Sequence, residues 1–449
     1  MESLRVLLMA EAANPQWVSV PLVGWSHCRA IAARTDAHLV TQVRNRPALL
    51  EAGLREGEDF TAIDSERLAR PMHRAAELLR GGANKGWTTA MAVKSLSYWY
   101  FEKLVWKRFG DAIRAGRYDV VHRVTPLSPT TPSLVAPRCR AAGVPFVLGP
   151  LNGGLPWPRG HDYLRRRERE WLSYVREAHR LLPGYRATRR AASALLAGSR
   201  HTLAQVPERY REKTVYVPEN AIDPERFEPG DLDRPGGLPL RMVFVGRLVP
   251  YKAADLLIES IAPAVRAGQV ELEIIGDGPE RPRLAALIER LGVSKGVRLV
   301  GWVAHEKLQE RLREMDVLGF PSLREFGGGV VLEAMALGLA PLVVDYGGPG
   351  ELVTSETGVA VPMGRREEIL ARLREAVSRL VSDPRAVREM GRRARERVMR
   401  HFTWSAKADQ TLAVYRWVTG SGRRPDFGMP LGEFGSRAAA RAEEVESSR

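Results

Sequence analysis

Two acids enclose three consecutive glycines in REFGGGVVLEAMALG, residues 324–338: Glu325 stands before Phe326, Gly327, Gly328, Gly329 and Val330, and Glu333 falls in the apolar run that comes next. Glycine in regular structure costs roughly 0.5–1 kcal/mol relative to alanine, so this run implies that bare backbone is needed there. One reading is a helix-entry turn. The other is an anion or sugar cradle at a helix N-terminus, where unpaired amides and the helix dipole attract negative charge. Upstream, Arg247 and Lys252 in GRLVPYK place two cations just after an apolar run. Together the two stretches describe a pocket that neutralises phosphate on one side and grips hydroxyls on the other. Two earlier stretches have the same form: His122 follows YDVV, and the small-residue loop of Asn152, Gly153 and Gly154 follows FVLGP.

The elements that would position these residues are legible as apolar runs of four to six residues alternating with helical-period segments, the pattern of parallel sheets with crossover helices. Strands are predicted at RVLLMA, AHLVTQV, YDVVHRV, PFVLGP, ALLAGS and TVYVPEN, all before residue 221. A second series is predicted at LRMVFVGRL, VELEIIGDG, VRLVGWV, VLGFPS, APLVVDYGG and GVAVPMG. Between them DPERFEPGDLDRPGGLPL, rich in Pro, Gly and Asp, reads as a linker between two doubly wound domains, 1–228 and 238–403. The last stretch, 421–449, shows no periodic apolar face and is expected to be a mobile tail. In open parallel sheets ligands collect beyond the carboxyl ends of strands, and every candidate residue lies just after a predicted strand or on the helix that comes after it.

Composition narrows the classes. The 449 residues are 44% hydrophobic with a formal charge of +15 and a pI near 10.1, which points to an anionic partner: nucleic acid, a phosphorylated small molecule or an acidic membrane surface. No basic and aromatic platform on a recognised module supports nucleic acid. Nothing approaches 18 consecutive apolar residues and VLLMA is too short for a signal peptide, so a cytosolic chain without a spanning segment is expected. Cys28 and Cys139 are far apart and in no metal-like spacing, a pattern that supports neither a disulfide nor a zinc site. GDGPERPRL lacks the third glycine of a dinucleotide fingerprint, and GxxxxGK[ST] does not occur. Asp231 and Asp233, in DLD, read as solvated linker rather than as metal ligands. The segment RGHDYLRRREREWLSYVREAHRLLPGYRATRR carries a stripe of Leu164, Trp171, Val175, Ala178 and Leu182 opposed by arginines that include Arg165, Arg166 and Arg167. It fits a helix with its stripe in the core; the alternative is one docked on anionic lipid at the inner face of the plasma membrane.

Five stretches in order, VGRLVPYKAADLLIES, IIGDGPERPRL, LVGWVAHEKL, FPSLREFGGGVVLEAMALG and VVDYGGPGELV, resemble the donor half of retaining glycosyltransferase family 4. VPENAIDPERF resembles that family's linker-proximal Asn-Gly-hydrophobic-Asp motif with Ala221 in place of Gly, and HFTWSAKADQTLAVYRWV resembles its closing helices. The resemblance covers residues 190–418 well and the first 190 by architecture. It implies a GT-B fold: α/β, two facing Rossmann-like doubly wound domains, with a C-terminal helix, about 404–418, returning to the N-terminal domain.

It also implies an enzyme that moves a sugar from a nucleotide-diphosphate sugar to an acceptor hydroxyl, with a glycan or lipid-linked acceptor and no metal or other cofactor. Arg247 and Lys252 would stabilise the departing diphosphate more in the transition state than in the ground state. Glu333 would accept hydrogen bonds from the ribose hydroxyls, and Glu325 would hold the transferred sugar. Gly276, Gly278, Phe326, Gly327, Gly328, Gly329 and Val330 would line the donor site. Family members usually show Gly-Phe-Gly after the first acid, whereas this chain has Phe326, Gly327, Gly328. They often carry His-x-His at the position of VVHRVTP, where this chain keeps His122 and has Val124; His122 is a candidate catalytic contact or a histidine capping a strand. The family's early Gly-Gly loop is replaced by NPQWVSVPLVGWSH, leaving Asn152, Gly153 and Gly154 as the acceptor-side candidates. A GT-B epimerase or phosphorylase and a catalytically degenerate sugar-nucleotide-binding subunit are the alternatives.

Overall fold

The computed structural model describes residues 3–66, 87–158, 184–427 and 429. The stripe from Leu164 to Leu182, Arg165, Arg166 and Arg167, and most of the predicted tail lie outside the described residues. Strands β1 (Arg5–Ala10), β2 (Asp36–Gln42), β3 (Phe60–Ile63), β4 (Val120–Thr125), β5 (Phe146–Leu151), β6 (Ala194–Ala197) and β7 (Thr214–Tyr216) form a seven-stranded sheet in the order β3-β2-β1-β4-β5-β6-β7. Strands β8 (Leu240–Val245), β9 (Val270–Ile275), β10 (Val297–Gly301), β11 (Val317–Phe320), β12 (Ala340–Asp345) and β13 (Val359–Pro362) form a six-stranded one in the order β10-β9-β8-β11-β12-β13. The strand pairs are parallel in both. Parallel strands are covered on both faces and need continuous apolar runs; Val6, Leu7, Leu8, Met9 and Ala10 are accordingly all fully buried.

Each order reverses once, between β1 and β4 in the first sheet and between β8 and β11 in the second. At such a switch point the helices leave to opposite faces, opening a crevice at the carboxyl ends of the two central strands. The chain divides into two compact units: the described residues of 1–156, 165–219 and 404–427 make the first, and those of 157–164, 220–403 and 428–449 the second. The segment read as a free linker groups with the second unit from residue 220 onward. It does so because it is anchored: Ile222 and Phe227 are buried, Arg395 donates to the Phe227 carbonyl at 3.0 Å, and a Cβ at Gly236 would come within 2.3 Å of the Pro384 carbonyl oxygen. The start of the predicted tail is likewise tied down, since Arg424 donates to the Thr214 carbonyl at 2.7 Å and Phe427 packs against the first unit's core.

Four helices position the residues of interest: α1 (Val20–Ala32), α2 (Ala254–Arg266), α3 (Gly329–Ala336) and α4 (Trp404–Val418). Helix α4 returns to the first unit and lies on α1, burying Ala408, Val414 and Tyr415 with Val6, Leu8 and Val120. Two buried polar contacts fix its register. His27 Nε2 meets Thr411 Oγ1 at 3.0 Å, and His122 Nδ1 meets Tyr415 Oη at 2.6 Å. The other His122 nitrogen, Nε2, faces the Gly149 carbonyl at 2.6 Å. A carbonyl only accepts, so Nε2 carries the proton and Nδ1 accepts from the tyrosine hydroxyl. Burial holds both imidazoles neutral, with His27 lowered to about 3 and His122 to about 4.

Replacing Tyr415 by Phe is predicted to leave His122 Nδ1 without its donor and to cost about 1–3 kcal/mol, read as a lower denaturant midpoint; an unchanged midpoint contradicts this pinning. Because both histidines have folded values depressed below the usual 6.5, the unfolded chain takes up protons that the folded chain refuses. Their contribution is complete above 6.5 and is lost as pH falls toward 4 and below.

Candidate active site

The second unit's switch point gathers the predicted donor residues. The loop after β8 carries Gly246, Arg247 and, in a single 3-10 turn, Pro250, Tyr251 and Lys252. The loop after β11 carries Arg324, Glu325, Phe326 and the glycines, and runs into α3. Lys252 Nζ and a Glu325 carboxylate oxygen form an ion pair across the crevice, the lysine and acid side chains being 15% and 23% exposed. The ammonium also lies 4.7 Å from the Phe320 ring centroid and 5.8 Å from that of Tyr251, so apolar rings shield the pair from water and strengthen it. A backbone bond from Leu323 N–H to the Tyr251 carbonyl, 2.8 Å, ties the two loops below it.

Ala253, directly after Lys252, has φ 55° and ψ 37°. A non-glycine residue held left-handed costs on the order of 1–3 kcal/mol and persists only where the surroundings impose it. Here it turns the chain from Lys252 into α2. Arg247 is exposed and has no acidic partner among the described residues, so its charge stays available.

The glycines divide by cause. Gly328 sits at φ 67° as the residue before α3, in a conformation that glycine adopts without the steric cost other residues bear, and a Cβ there would press on Pro349 at 3.1 Å. Gly348 packs on Gly327 so closely that its own Cβ would meet the Gly327 carbonyl carbon at 2.5 Å, and its N–H donates to the Glu325 carbonyl at 3.0 Å. A Cβ on Gly329 would meet nothing within 4 Å. Among the described residues no side chain caps the N-terminus of α3, and while the Val331 amide bonds back to the Gly328 carbonyl, those of Gly329 and Val330 are left to meet an anion. Gly276 and Gly278, expected to line the donor site, have a different explanation. A Cβ on them would come within 2.0 Å of the Gly246 oxygen and 2.4 Å of the Leu248 oxygen, so their backbone packs against the β8 loop and supports Arg247 from behind.

Glu333 lies one turn into α3. Burial pushes its carboxyl up to about 7, with Arg226 pulling the other way, and its carboxylate has no hydrogen-bond partner among the described residues. Such a group is poised to accept donors that a ligand brings.

The remaining candidates belong to the first unit. His122 is fully buried with both nitrogens engaged by Tyr415 and Gly149, which corrects its reading as a catalytic contact: it braces β4, β5 and α4. Asn152, Gly153 and Gly154 form the turn after β5, with Gly153 at φ 141° and Gly154 at φ 74°, and the Gly154 carbonyl accepts from His201 at 3.1 Å. The sequence reading missed Arg226, near Glu333, and a group of rings around Arg324. The guanidinium of Arg324 lies 4.6 Å from the Trp157 ring and 5.4 Å from the Phe326 ring, and Trp157 stands edge-on to Tyr251 at 6.3 Å. No periodicity signals a contact between residues 157 and 324. Among the described residues no three His, Cys, Asp or Glu side chains converge to hold a metal ion, and no helix is long and apolar enough to cross a membrane.

Residues 236–397 match the family model of glycosyl transferases group 1, a span that holds Arg247, Lys252, Glu325 and Glu333. Alpha-D-kanosaminyltransferase of Streptomyces kanamyceticus is 29% identical over 52% of this chain and 62% of its own length. Alpha-maltose-1-phosphate synthase of Mycolicibacterium smegmatis is 33% identical over 51% and 63%, and D-inositol 3-phosphate glycosyltransferase of Rhodococcus erythropolis is 34% identical over 43% and 46%. The chain thus spans about half to five-eighths of the length of these relatives. Among solved structures, sucrose-phosphate synthase of Thermosynechococcus elongatus superposes with a TM-score of 0.56 at 18% identity over 93% of this chain and 100% of that one. HepE of Anabaena, in complex with UDP, gives 0.53 at 16% identity over 91% and 98%. The fold is GT-B, two Rossmann-like parallel sheets shared with glycosyltransferases over nearly the whole chain.

The raised Glu333 value sets a pH test. Between its ordinary 4.5 and about 7, the folded chain keeps a proton that the unfolded chain has released, so stability falls as pH rises through that window. The Glu333→Gln variant lacks this slope. Its melting temperature relative to the natural protein should rise across the window and level off above 7; parallel profiles would contradict the burial of this carboxyl.

Proposed function

We propose that the protein is a retaining glycosyltransferase of family 4 that transfers a sugar from a nucleotide-diphosphate sugar to the hydroxyl of a glycan or lipid-linked acceptor, without a metal. The observation that carries this reading is the Lys252–Glu325 pair at the second unit's switch point, beside the N-terminus of α3 and Glu333, for which the described residues offer neither a side-chain cap nor a hydrogen-bond partner. The group 1 family match over the same segment and the UDP bound by HepE support it.

The chemistry follows from charge. As the bond from the anomeric carbon to the diphosphate oxygen breaks, the electron pair leaves with the diphosphate and the sugar gains oxocarbenium character. Lys252 and Arg247 neutralise the growing negative charge, which counts more in the transition state than in bound substrate. The free amides of α3 add a partial positive charge at the same end of the sheet. Glu325, released from Lys252 when phosphate takes its place, holds the sugar hydroxyls. Glu333 accepts from the ribose. The acceptor oxygen then bonds to the anomeric carbon on the face the leaving group vacated, and its hydroxyl proton passes to the departing diphosphate oxygen.

Donor turnover with UDP-, GDP- and ADP-sugars, in excess EDTA and with magnesium or manganese restored, tests this. Full activity in EDTA is expected, and alanine at Arg247 or Lys252 should lower the rate by on the order of 10² to 10³. Glu325→Gln should act mainly on kcat and Glu333→Ala mainly on the donor KM. Activity that EDTA abolishes and manganese restores would overturn the metal-free site, and equal effects of the two acids on both parameters would overturn their division of labour.

A further inference from the structure

The Lys252–Glu325 pair joins two loops, and each partner is preceded in sequence by a residue that touches the same indole. Tyr251, before Lys252, meets Trp157 edge to face, the rings 81° apart at 6.3 Å, and Arg324, before Glu325, lies over the Trp157 ring at 4.6 Å. Arg324 is 9% exposed, and Phe326, 5.4 Å away, presents a second ring to it. Although the chain just before it belongs to the first unit, Trp157 groups with the second, so these contacts lie within one compact body. Below the pair, the Leu323–Tyr251 backbone bond holds the loops at one level; the indole holds them at another.

We propose that Trp157 is a positioning residue for the donor site: by packing on Tyr251 and Arg324 together, its indole sets the spacing of the two loops and so the meeting of Lys252 with Glu325. The role suits indole, whose face attracts a guanidinium while its edge and body pack on a second ring. Cover alone would need only apolar volume. The catalytic consequence rests on the proposed donor site; the geometric claim does not, and its test uses neither donor nor acceptor.

Limited reductive methylation of the full-length protein, with each lysine followed by peptide mass spectrometry, reads the pair directly. Lys252 is mostly buried and ion-paired, so it should react slowly. Trp157→Ala should raise its labelling rate on the order of tenfold, the weight of one shielded cation–π contact, while exposed Lys107 and Lys295 keep theirs. Trp157→Phe, which keeps a ring, should restore protection, and Trp157→Leu, which keeps only apolar volume, should not. Arg324→Met, which leaves the indole in place, should expose Lys252 alone and serves as the second route if Trp157→Ala does not fold. An unchanged Lys252 rate, a rise shared by all lysines, or equal protection by Phe and Leu would each overturn the proposal. None of these outcomes bears on whether the protein transfers sugar.

Discussion

A lysine and a glutamate of opposite charge, held together across the mouth of a parallel sheet, are the contact on which the chemistry proposed for the second unit depends. Charges that far from bulk water are tolerated when they are paired. The fold supplies the pairing by reversing its strand order between β8 and β11, which leaves room for two loops to face each other without a helix between them. Each loop is then fixed by local means: left-handed Ala253 after Lys252, and the Gly327–Gly348 contact beside Glu325. An anionic diphosphate is the kind of ligand that exchanges with such a pair, because it satisfies the lysine and frees the acid for hydroxyls in one step.

The first unit is held by a different constraint. Its last helix arrives from nearly 200 residues downstream of the rest of its sequence, and such a closure is specified by a few buried polar contacts set in an apolar face. His27, His122, Thr411 and Tyr415 supply them. His122 lies inside β4, and in its neutral form both ring nitrogens are engaged, by the Gly149 carbonyl and the Tyr415 hydroxyl, so it is turned into the core rather than toward the strand ends.

Much of this was readable from sequence because its causes are local. Parallel strands must be apolar throughout, and every run predicted as a strand is one; β3 was missed because FTAI is short, at the sheet edge, and flanked by acids. The acids at 325 and 333 and the cations at 247 and 252 were visible because strand-end position is itself a sequence property. What depended on packing between distant segments was not visible. That Gly276 and Gly278 are required by the neighbouring loop's carbonyls is such a case. The polar stretch after residue 220 looks like a spacer but is anchored by arginines more than a hundred residues away. Trp157 reads as an ordinary loop aromatic until its ring is seen between Tyr251 and Arg324.

If the Lys252–Glu325 crevice is the nucleoside-diphosphate site proposed for it, nucleotides stabilise the fold, since a ligand that binds only the folded state raises the melting temperature by mass action. With UDP, GDP and ADP titrated separately against the natural protein and the Lys252→Ala variant, the account predicts that at least one nucleotide raises the melting temperature of the natural protein and that the rise is lost in the variant. No rise with any of the three, or an equal rise in both proteins, would contradict it.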